Sequence, residues 1–213
     1  MSNKEFCDFI QTQSCFTQLI NNYKPQLVFL SGSRGVGTNH PHSDYDLIAI
    51  TSKFRIQSLL GYDDIKLCFF NNNVVHCYVY SLDFCESWLR NDNRYNKPIV
   101  SDLWFQNILA LQDPNNIIMC NDNLTYEFWF INKEQIIKQC MFSLITKHGE
   151  YQKNNLKFLG HCILCLSLLI KQEPPLDFIC KIKHLQKDNT QTTVLSQKIW
   201  KEIQQKWDDF LTQ

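Results

Sequence analysis

The spacing of apolar residues divides the chain into a front half of mixed elements and a back half of helices. Residues 4–22 carry apolar side chains at mostly helical spacing, which predicts a first helix that ends before Lys24 and Pro25. Two short apolar runs, 26–31 and 45–50, predict buried strands. The segment between them, 32–43, contains three glycines and a proline and is therefore predicted to be a loop.

The next pair of apolar runs predicts a β-hairpin. Residues 65–70 and 74–80 are joined by three asparagines, and asparagine tolerates the positive φ that tight hairpin turns require. A helix is expected over 83–90, with Ser81 as its cap. Beyond a polar segment at 91–97 we expect a helix at 102–111 capped by Ser101, a turn at 113–116, a strand at 117–120, and helices at 134–147, 155–172, 176–185 and 194–211.

These elements predict an α/β (α+β) fold. A small mixed, antiparallel-rich sheet with flanking helices is expected over residues 1–130, and a helical subdomain over residues 131–213. The chain has 213 residues, 44% of them hydrophobic, which excludes wholesale disorder.

Charge is balanced overall but not along the chain. The 21 basic residues equal the 21 acidic ones, so no global field attracts nucleic acid or a membrane. Residues 1–130 carry 9 basic and 13 acidic residues, whereas residues 131–213 carry 12 and 8. The two halves could form opposite walls of a cleft for metal and polyphosphate, or they could be two solvated faces of uneven composition.

Ten cysteines suggest a disulfide scaffold until their context is considered. Most lie in apolar periodic segments, where free cysteine behaves as a small hydrophobe. Cys162 and Cys165 have CxxC spacing beside His161, but no second ligand pair accompanies them, so we expect core thiols and not zinc. With no signal peptide and no apolar run of membrane-spanning length, we expect no membrane association and a reducing, cytoplasmic location.

The most informative stretch is Leu27 to Ile50, LVFLSGSRGVGTNHPHSDYDLIAI. Asp44 and Asp46 are separated by one residue at the start of a strand, so they project to one face, about 7 Å apart at the backbone. Two hard carboxylates on one face suit Mg²⁺. Gly32 lets the backbone approach a phosphate, and the Ser33 hydroxyl can donate to it. This combination predicts metal-assisted transfer of a nucleotide.

At these residues the chain resembles the polymerase-beta-type nucleotidyltransferase superfamily. The matching pattern is a hydrophobic strand, Gly32-Ser33, a loop of about ten residues, and Asp44-x-Asp46. The sequence of the loop, together with Tyr80-Ser81-Leu82, is similar to that of the stand-alone nucleotidyltransferases whose genes lie beside those of RNA ligases.

The resemblance implies a nucleoside triphosphate substrate, with Mg²⁺ (or Mn²⁺) on Asp44 and Asp46. It implies transfer of a nucleoside monophosphate to an acceptor hydroxyl and release of pyrophosphate. The acceptor could be an RNA 3′ end or a protein side chain. Gly32, Ser33 and Ser43 belong to the matching motif and are expected to contact the nucleotide.

The chain departs from the family at the third carboxylate. That position corresponds to His76, with Tyr78 on the same face, and no acid occurs between Asp64 and Asp83. A neutral histidine could accept the proton of the attacking hydroxyl, although Mg²⁺ prefers oxygen ligands. Alternatively His76 is structural, and the protein is a catalytically degenerate module that binds a nucleotide or a partner. Asp63 or Asp64 could replace the missing acid if the hairpin register brings it to this face.

Other candidates are side chains of ordinary surface type. Arg34 could contact a phosphate or form a structural ion pair. Lys153 and Lys157 could reach a triphosphate from the helical half, and Tyr151 could stack on a base, or they could be solvated residues of a helix surface. His40 and His42 are expected to be idle loop residues.

Overall fold

The structure, a computed structural model, describes residues 2–52, 56, 62–89, 104–121, 133–185 and 191–212. It confirms the predicted α+β fold, with a five-stranded mixed sheet, flanking helices and a helical C-terminal half. The chain forms two compact units. The first comprises Met1–Ser101 and Gln106–Lys133, and the second comprises Asp102–Phe105 and Glu134–Gln213.

The sheet of the first unit joins antiparallel pairs to one parallel pair. Its strands are β1 (Leu27–Ser31), β2 (Tyr45–Thr51), β3 (Tyr62–Phe70), β4 (Asn73–Ser81) and β5 (Ile117–Cys120), in the order β3-β4-β2-β1-β5. Strands β2 and β4 run parallel, and the other neighbours are antiparallel. The helices are α1 (Asn3–Gln11), α2 (Ser14–Tyr23), the short turn α3 (Gly32–Gly35), α4 (Leu82–Leu89) and α5 (Phe105–Leu111), followed by a 3₁₀ turn at Pro114–Asn116.

The first predicted helix is two helices. α1 ends at Gln11 because the Thr12 hydroxyl donates to the Phe9 carbonyl, at 2.7 Å, and caps the last turn. Gln13 is extended, with φ −84° and ψ 138°, and α2 starts after it. Apolar spacing continued across this break, so the pattern alone did not mark it. Lys24 adopts a left-handed conformation and ends α2 before Pro25, as predicted.

One face of the sheet carries the main apolar core. Alternate residues of the central strands, among them Leu47, Val75 and Cys77, pack with Phe6 of α1 and Leu19 of α2. Because strand side chains alternate, their neighbours Asp46, His76 and Tyr78 lie on the opposite face. We call this opposite face the site face.

The N-terminal helix is tied to the segment that enters β5. The Asn3 amide donates to Asn116 Oδ1 at 2.7 Å, and the Gln11 amide donates to the Ile118 carbonyl at 2.9 Å. Asn116 is fully buried, and its own amide donates to the carbonyls of Gly35 and Ala110, at 2.9 and 2.8 Å. One buried side chain therefore joins α1, α3 and α5.

The predicted hairpin forms with a two-residue turn. Asn71 and Asn72 have φ of 47° and 64°, and Asn73 is the first residue of β4. Two successive left-handed residues are the type I′ geometry, which matches the twist of the strands. The register shifts between Lys66 and Cys68, so Leu67 forms a bulge in β3.

The second unit is helical throughout its described residues from 133 onward. Its elements are α6 (Lys133–Ser143), a π-helical segment at Leu144–His148, α7 (Gly149–Gln152), α8 (Leu156–Leu169), α9 (Leu176–His184) and α10 (Gln191–Leu211). α8 packs against both α9 and α10. Asn155 caps α8, since its side chain accepts from the N–H groups of Lys157 and Phe158.

The structure bears on the expectations for the cysteines and for membrane-spanning segments. All ten cysteines are free thiols, and Cys162 and Cys165 are fully buried in α8. In the part of the chain that the structure describes, no helix combines the length and apolar character needed to cross a bilayer. The expected segment 91–97 and cap Ser101 fall outside the described residues.

Candidate active site

The turn after β1 brings Gly32 against the carboxylate of Asp46. Gly32 has a φ of 60°, which L side chains rarely adopt. A Cβ at this position would meet Asp46 Oδ2 at 2.2 Å, well inside van der Waals contact. The β1–β2 register explains why Gly32 and Asp46 lie so close, because Ser31 of β1, which precedes Gly32, lies opposite Asp46 of β2. The two parts of the sequence motif therefore meet in space, and glycine is required where they meet.

Buried contacts hold this turn in place. The Ser31 hydroxyl donates to Asn107 Oδ1 of α5 at 2.5 Å. Gly35 lies so close to the preceding strand that a Cβ would meet the Leu30 carbonyl oxygen at 2.6 Å. Asn107 and the turn anchor Asn116 were not singled out in the sequence, because a buried amide has no local pattern that distinguishes it from an exposed one.

Arg34 stabilises the loop that leads to the aspartates. Its guanidinium donates from Nε and Nη2 to the Ser43 carbonyl, at 2.9 and 2.7 Å, and from Nη2 to the Pro41 carbonyl at 3.2 Å. It also stacks 3.8 Å above the centre of the Tyr45 ring. Arg34 was expected either to contact a phosphate or to form a structural ion pair. Its position agrees with a structural role, but its partners are backbone carbonyls and an aromatic ring, and not an acid.

The loop is closed by several further hydrogen bonds. The Ser43 hydroxyl accepts from the His40 N–H at 3.0 Å, and the Thr38 N–H donates to the Ser33 carbonyl at 2.8 Å. From the hairpin, the Asn73 amide donates to the Pro41 carbonyl at 2.9 Å. His40 and His42 are exposed, and the His42 N–H donates to His40 Nδ1. Ser43 therefore stabilises the loop through its carbonyl and hydroxyl groups, and Asp44 follows a segment that is held by hydrogen bonds.

Asp44 and Asp46 are carboxylates at the start of β2, and the charges of both act on the Tyr78 phenol of β4. Asp44 is exposed and immediately precedes β2, whereas Asp46 is half-buried as its second residue. Burial first, and then the negative charges of Asp46, Asp64 and Asp44, raise the pKa of Tyr78 to about 12. Three carboxylates that act on one hydroxyl group form an acidic cluster at this end of the sheet.

His76 occupies the position beside Asp46. The parallel register of β2 and β4 pairs Asp46 with His76 directly. His76 Nδ1 lies 3.3 Å from Asp64 Oδ1, and its ring is nearly parallel to that of Tyr78, with centroids 6.2 Å apart. Asp64 pairs with Tyr78 in the β3–β4 register, so it shares the site face. Asp64, one of the two acids expected as a substitute, thus contacts His76, to which the resemblance assigns the third position.

The donor set around these residues is small. Within the described ranges, no group of three or more His, Cys, Asp or Glu side chains is arranged to hold a metal ion. Asp44 and Asp46 offer oxygen donors of the type that Mg²⁺ prefers, and the Asp46 carboxylate occupies the space that a Cβ of residue 32 would fill. The two carboxylates are suitable ligands for Mg²⁺, and the ion would need further oxygen ligands from another molecule.

The remaining candidates lie in the second unit. Lys153 follows α7 and is half-buried, and Lys157 is exposed in the first turn of α8. The backbone of Tyr151 belongs to α7, but its side chain lies outside the described residues.

Lys157 also belongs to a cluster of basic groups that the sequence did not indicate. Burial, Lys183 and Lys157 lower the pKa of His161 to about 3, and burial lowers the pKa of Lys183 to about 8. Gly160 makes this packing possible, since a Cβ there would lie 3.4 Å from Lys183 Cε. The cluster joins α8 to α9 within the second unit.

No protein-family model matches the chain, and no curated protein is significantly similar to it.

Proposed function

We propose that the protein is a metal-dependent nucleotidyltransferase that moves a nucleoside monophosphate from a nucleoside triphosphate to an acceptor hydroxyl. The observation that carries this proposal is the contact of Gly32 with the Asp46 carboxylate, with His76 in register beside it. Because Gly32 has no side chain, the Asp46 carboxylate lies directly against the turn, so a cation held by that carboxylate and a phosphate held by the turn would be neighbours.

In this proposal Asp44 and Asp46 would hold Mg²⁺, and oxygens of the triphosphate would complete its ligands. The ion would neutralise charge on the phosphates during transfer. The N–H groups of α3 and the Ser33 hydroxyl would donate to phosphate oxygens. The Ser33 side chain is half-buried and makes no hydrogen bond to another described residue, so it is available for that contact.

The remaining step is removal of the acceptor proton. The acceptor oxygen forms a bond to the α-phosphorus, the bond from that phosphorus to the bridging oxygen breaks, and pyrophosphate leaves. His76 Nδ1 faces Asp64 at 3.3 Å, so Nε2 is the ring nitrogen that would take the proton from the acceptor hydroxyl. Asp64 would orient the ring and offset the positive charge that develops on it.

A second candidate function has two observations in its favour. His76 stands where the resemblance implies an acid, and no three-residue metal group is found among the described residues. A catalytically degenerate module would bind a nucleotide through Gly32 and Ser33 without turnover. The two functions differ in one result, which is transfer of label from an NTP to an acceptor.

Metal and nucleotide binding test what the two aspartates do. We expect titration calorimetry with Mn²⁺ and an NTP to give binding heat with the wild type and none with Asp44→Asn/Asp46→Asn, because two charges leave one cluster. Asp208→Asn/Asp209→Asn is the matched control, since it removes two adjacent exposed carboxylates from α10. Unchanged binding in the first variant would contradict the site assignment.

Label transfer tests the reaction itself. The wild type is incubated with each NTP labelled at the α-phosphate, with Mg²⁺ or Mn²⁺, and with pooled RNA or protein. We expect one pool to acquire label, and the double variant to transfer none. Nucleotide binding without transfer to either pool would favour the binding module.

A further inference from the structure

We infer that the site face of the β3–β4 hairpin is the docking surface for the acceptor, and that this acceptor is a single-stranded nucleic acid. The inference rests on the proposed function, because it names the acceptor of that site. Phe69 would stack on a base, and Lys66 would contact the adjacent phosphate.

The bulge in β3 creates this surface. In a regular strand, residues three apart point to opposite faces. Because Leu67 is the extra residue, Lys66 pairs with His76 and Phe69 pairs with Val74, and both side chains project from the site face. Lys66 Nζ lies 4.3 Å from the centre of the Phe69 ring. An aromatic ring and a cation are thus presented together.

Both side chains are open to solvent. Phe69 is 60% exposed, the most exposed phenylalanine among the large exposed hydrophobic residues, and Lys66 is exposed as well. A single exposed aromatic residue needs no explanation. Phe69, however, pairs with Val74, which lies two residues from His76 on β4, and it continues a series of rings on the same face. That series includes the nearly parallel pairs His76–Tyr78 and Tyr62–Tyr80.

The position of this surface suits delivery of an acceptor end. Asp46, His76 and Lys66 occupy one row across β2, β4 and β3, which spans about 10 Å at the usual strand spacing. The turn end of the β3–β4 hairpin meets the loop that precedes Asp44, through the hydrogen bond from the Asn73 amide to the Pro41 carbonyl. A chain that lies along the row would therefore present its terminal hydroxyl beside His76.

The chemistry of the row favours a nucleic acid over a peptide. Aromatic rings stack on bases of any sequence, and a neighbouring cation neutralises the phosphate between two bases. The acid of this row is Asp46, the proposed metal ligand, and Asp64, which pairs with Tyr78 in the next row on this face, is engaged with His76 Nδ1. A peptide acceptor would need pockets for its side chains, and the exposed Phe69 ring offers a flat platform instead.

Binding of a labelled single-stranded RNA, followed by fluorescence anisotropy without NTP, tests the inference. We expect Phe69→Ala to weaken binding about ten-fold, because one stacked base is lost, and Phe69→Trp to retain it. We expect Lys66→Gln to lower the slope of log affinity against log salt by about one. Matched controls in the second unit are Phe142→Ala, at a 59% exposed ring, and Lys181→Gln, at an exposed lysine of α9. Both controls should bind as the wild type does.

The outcomes separate this inference from the proposed function. Equal RNA affinity for wild type and Phe69→Ala, no RNA binding by the wild type, or label transfer to protein alone would each overturn the docking surface. Binding of Mn²⁺ and NTP should be unchanged in Phe69→Ala. If RNA binding depends on Phe69 while the wild type binds no metal-nucleotide, the docking surface stands and the nucleotidyltransferase proposal fails.

Discussion

Gly32 is the residue at which we expect a substitution to change both the structure and the proposed function. Gly32→Ala places a Cβ 2.2 Å from Asp46 Oδ2 and forces alanine to a φ of 60°. We expect a loss of about 1–3 kcal/mol in the free energy of unfolding, measured with urea, and loss of metal-dependent nucleotide binding. Gly37→Ala is the matched control, because Gly37 also has a positive φ, of 74°, and lies outside the contact with Asp46. Retained nucleotide binding in Gly32→Ala would show that binding does not depend on the position of the Asp46 carboxylate.

His76 is the residue that decides between turnover and binding alone. His76→Asp supplies an oxygen ligand beside Asp46, so Mg²⁺-dependent label transfer is expected to rise. His76→Ala removes the proposed proton acceptor, and transfer should fall about 10²- to 10⁴-fold. Steady-state rates at fixed NTP measure both variants.

Asp64→Asn provides the companion test for the histidine. It keeps a polar partner for Nδ1 but removes the charge that offsets a protonated ring. We expect kcat to fall with little change in KM for the nucleotide. A rate that is the same in wild type and His76→Ala would assign His76 to structure and leave Asp64 without a catalytic role.

Some site residues could be predicted from the sequence, and others could not, for a physical reason. Gly32, Ser33, Asp44 and Asp46 form a local pattern, in which a short loop joins two strands that must pair. The contact of His76 with Asp64 depends on the β3–β4 register, and the bulge at Leu67 shifts that register beyond Lys66. No residue type near position 67 marks a bulge, so the position of Phe69 on the site face could not be predicted.

At the scale of elements, the β3–β4 hairpin is the feature most open to test. Its turn residues, Asn71 and Asn72, both have positive φ. Glycine is preferred at the second position of a type I′ turn, so Asn72→Gly should raise stability by up to about 1 kcal/mol. Asn72→Val should lower it by a similar or larger amount, because a β-branched residue is strained there. Thermal melting followed by circular dichroism measures both, and a destabilised Asn72→Gly would contradict the turn type.

Element types were easier to predict than element limits. Strand and helix assignments followed from apolar spacing of two or of three to four residues, and the structure confirms the hairpin and the strand at 117–120. The break between α1 and α2 was missed, because the Thr12 cap interrupts the backbone without interrupting the apolar pattern. The helix expected at 134–147 passes into π-helical geometry at Leu144, which depends on packing and not on local residue preference.

At the scale of the whole molecule, the basic cluster of the second unit sets a limit on acid stability. Folding holds the pKa of His161 at about 3, below its ordinary value of 6.5. Between pH 6.5 and 3, His161 is therefore protonated in the unfolded chain but neutral in the native state. The stability that His161 contributes above pH 6.5 is lost as the pH falls from 6.5 towards 3. We expect the free energy of unfolding to drop by about 2 kcal/mol between pH 7.5 and 5 because of this group.

Substitution of the histidine isolates its share of that loss. His161→Gln cannot take up a proton and should flatten the pH dependence of urea unfolding over the same range. His42→Gln, at an exposed loop histidine, serves as the control and should retain the wild-type dependence. An unchanged slope in His161→Gln would mean that His161 does not control acid unfolding.

The junction between α1 and the entry to β5 has a consequence for the chain during its synthesis. Asn3 and Asn116 are hydrogen-bonded but lie 113 residues apart along the chain. At about 5–20 residues per second, the ribosome needs roughly 6–23 s to add those residues. The hydrogen bond between α1 and the entry to β5 therefore forms only after that interval. Phe6 stacks on Tyr45, which is synthesised much sooner, so the packing of α1 on the sheet can precede its attachment to β5.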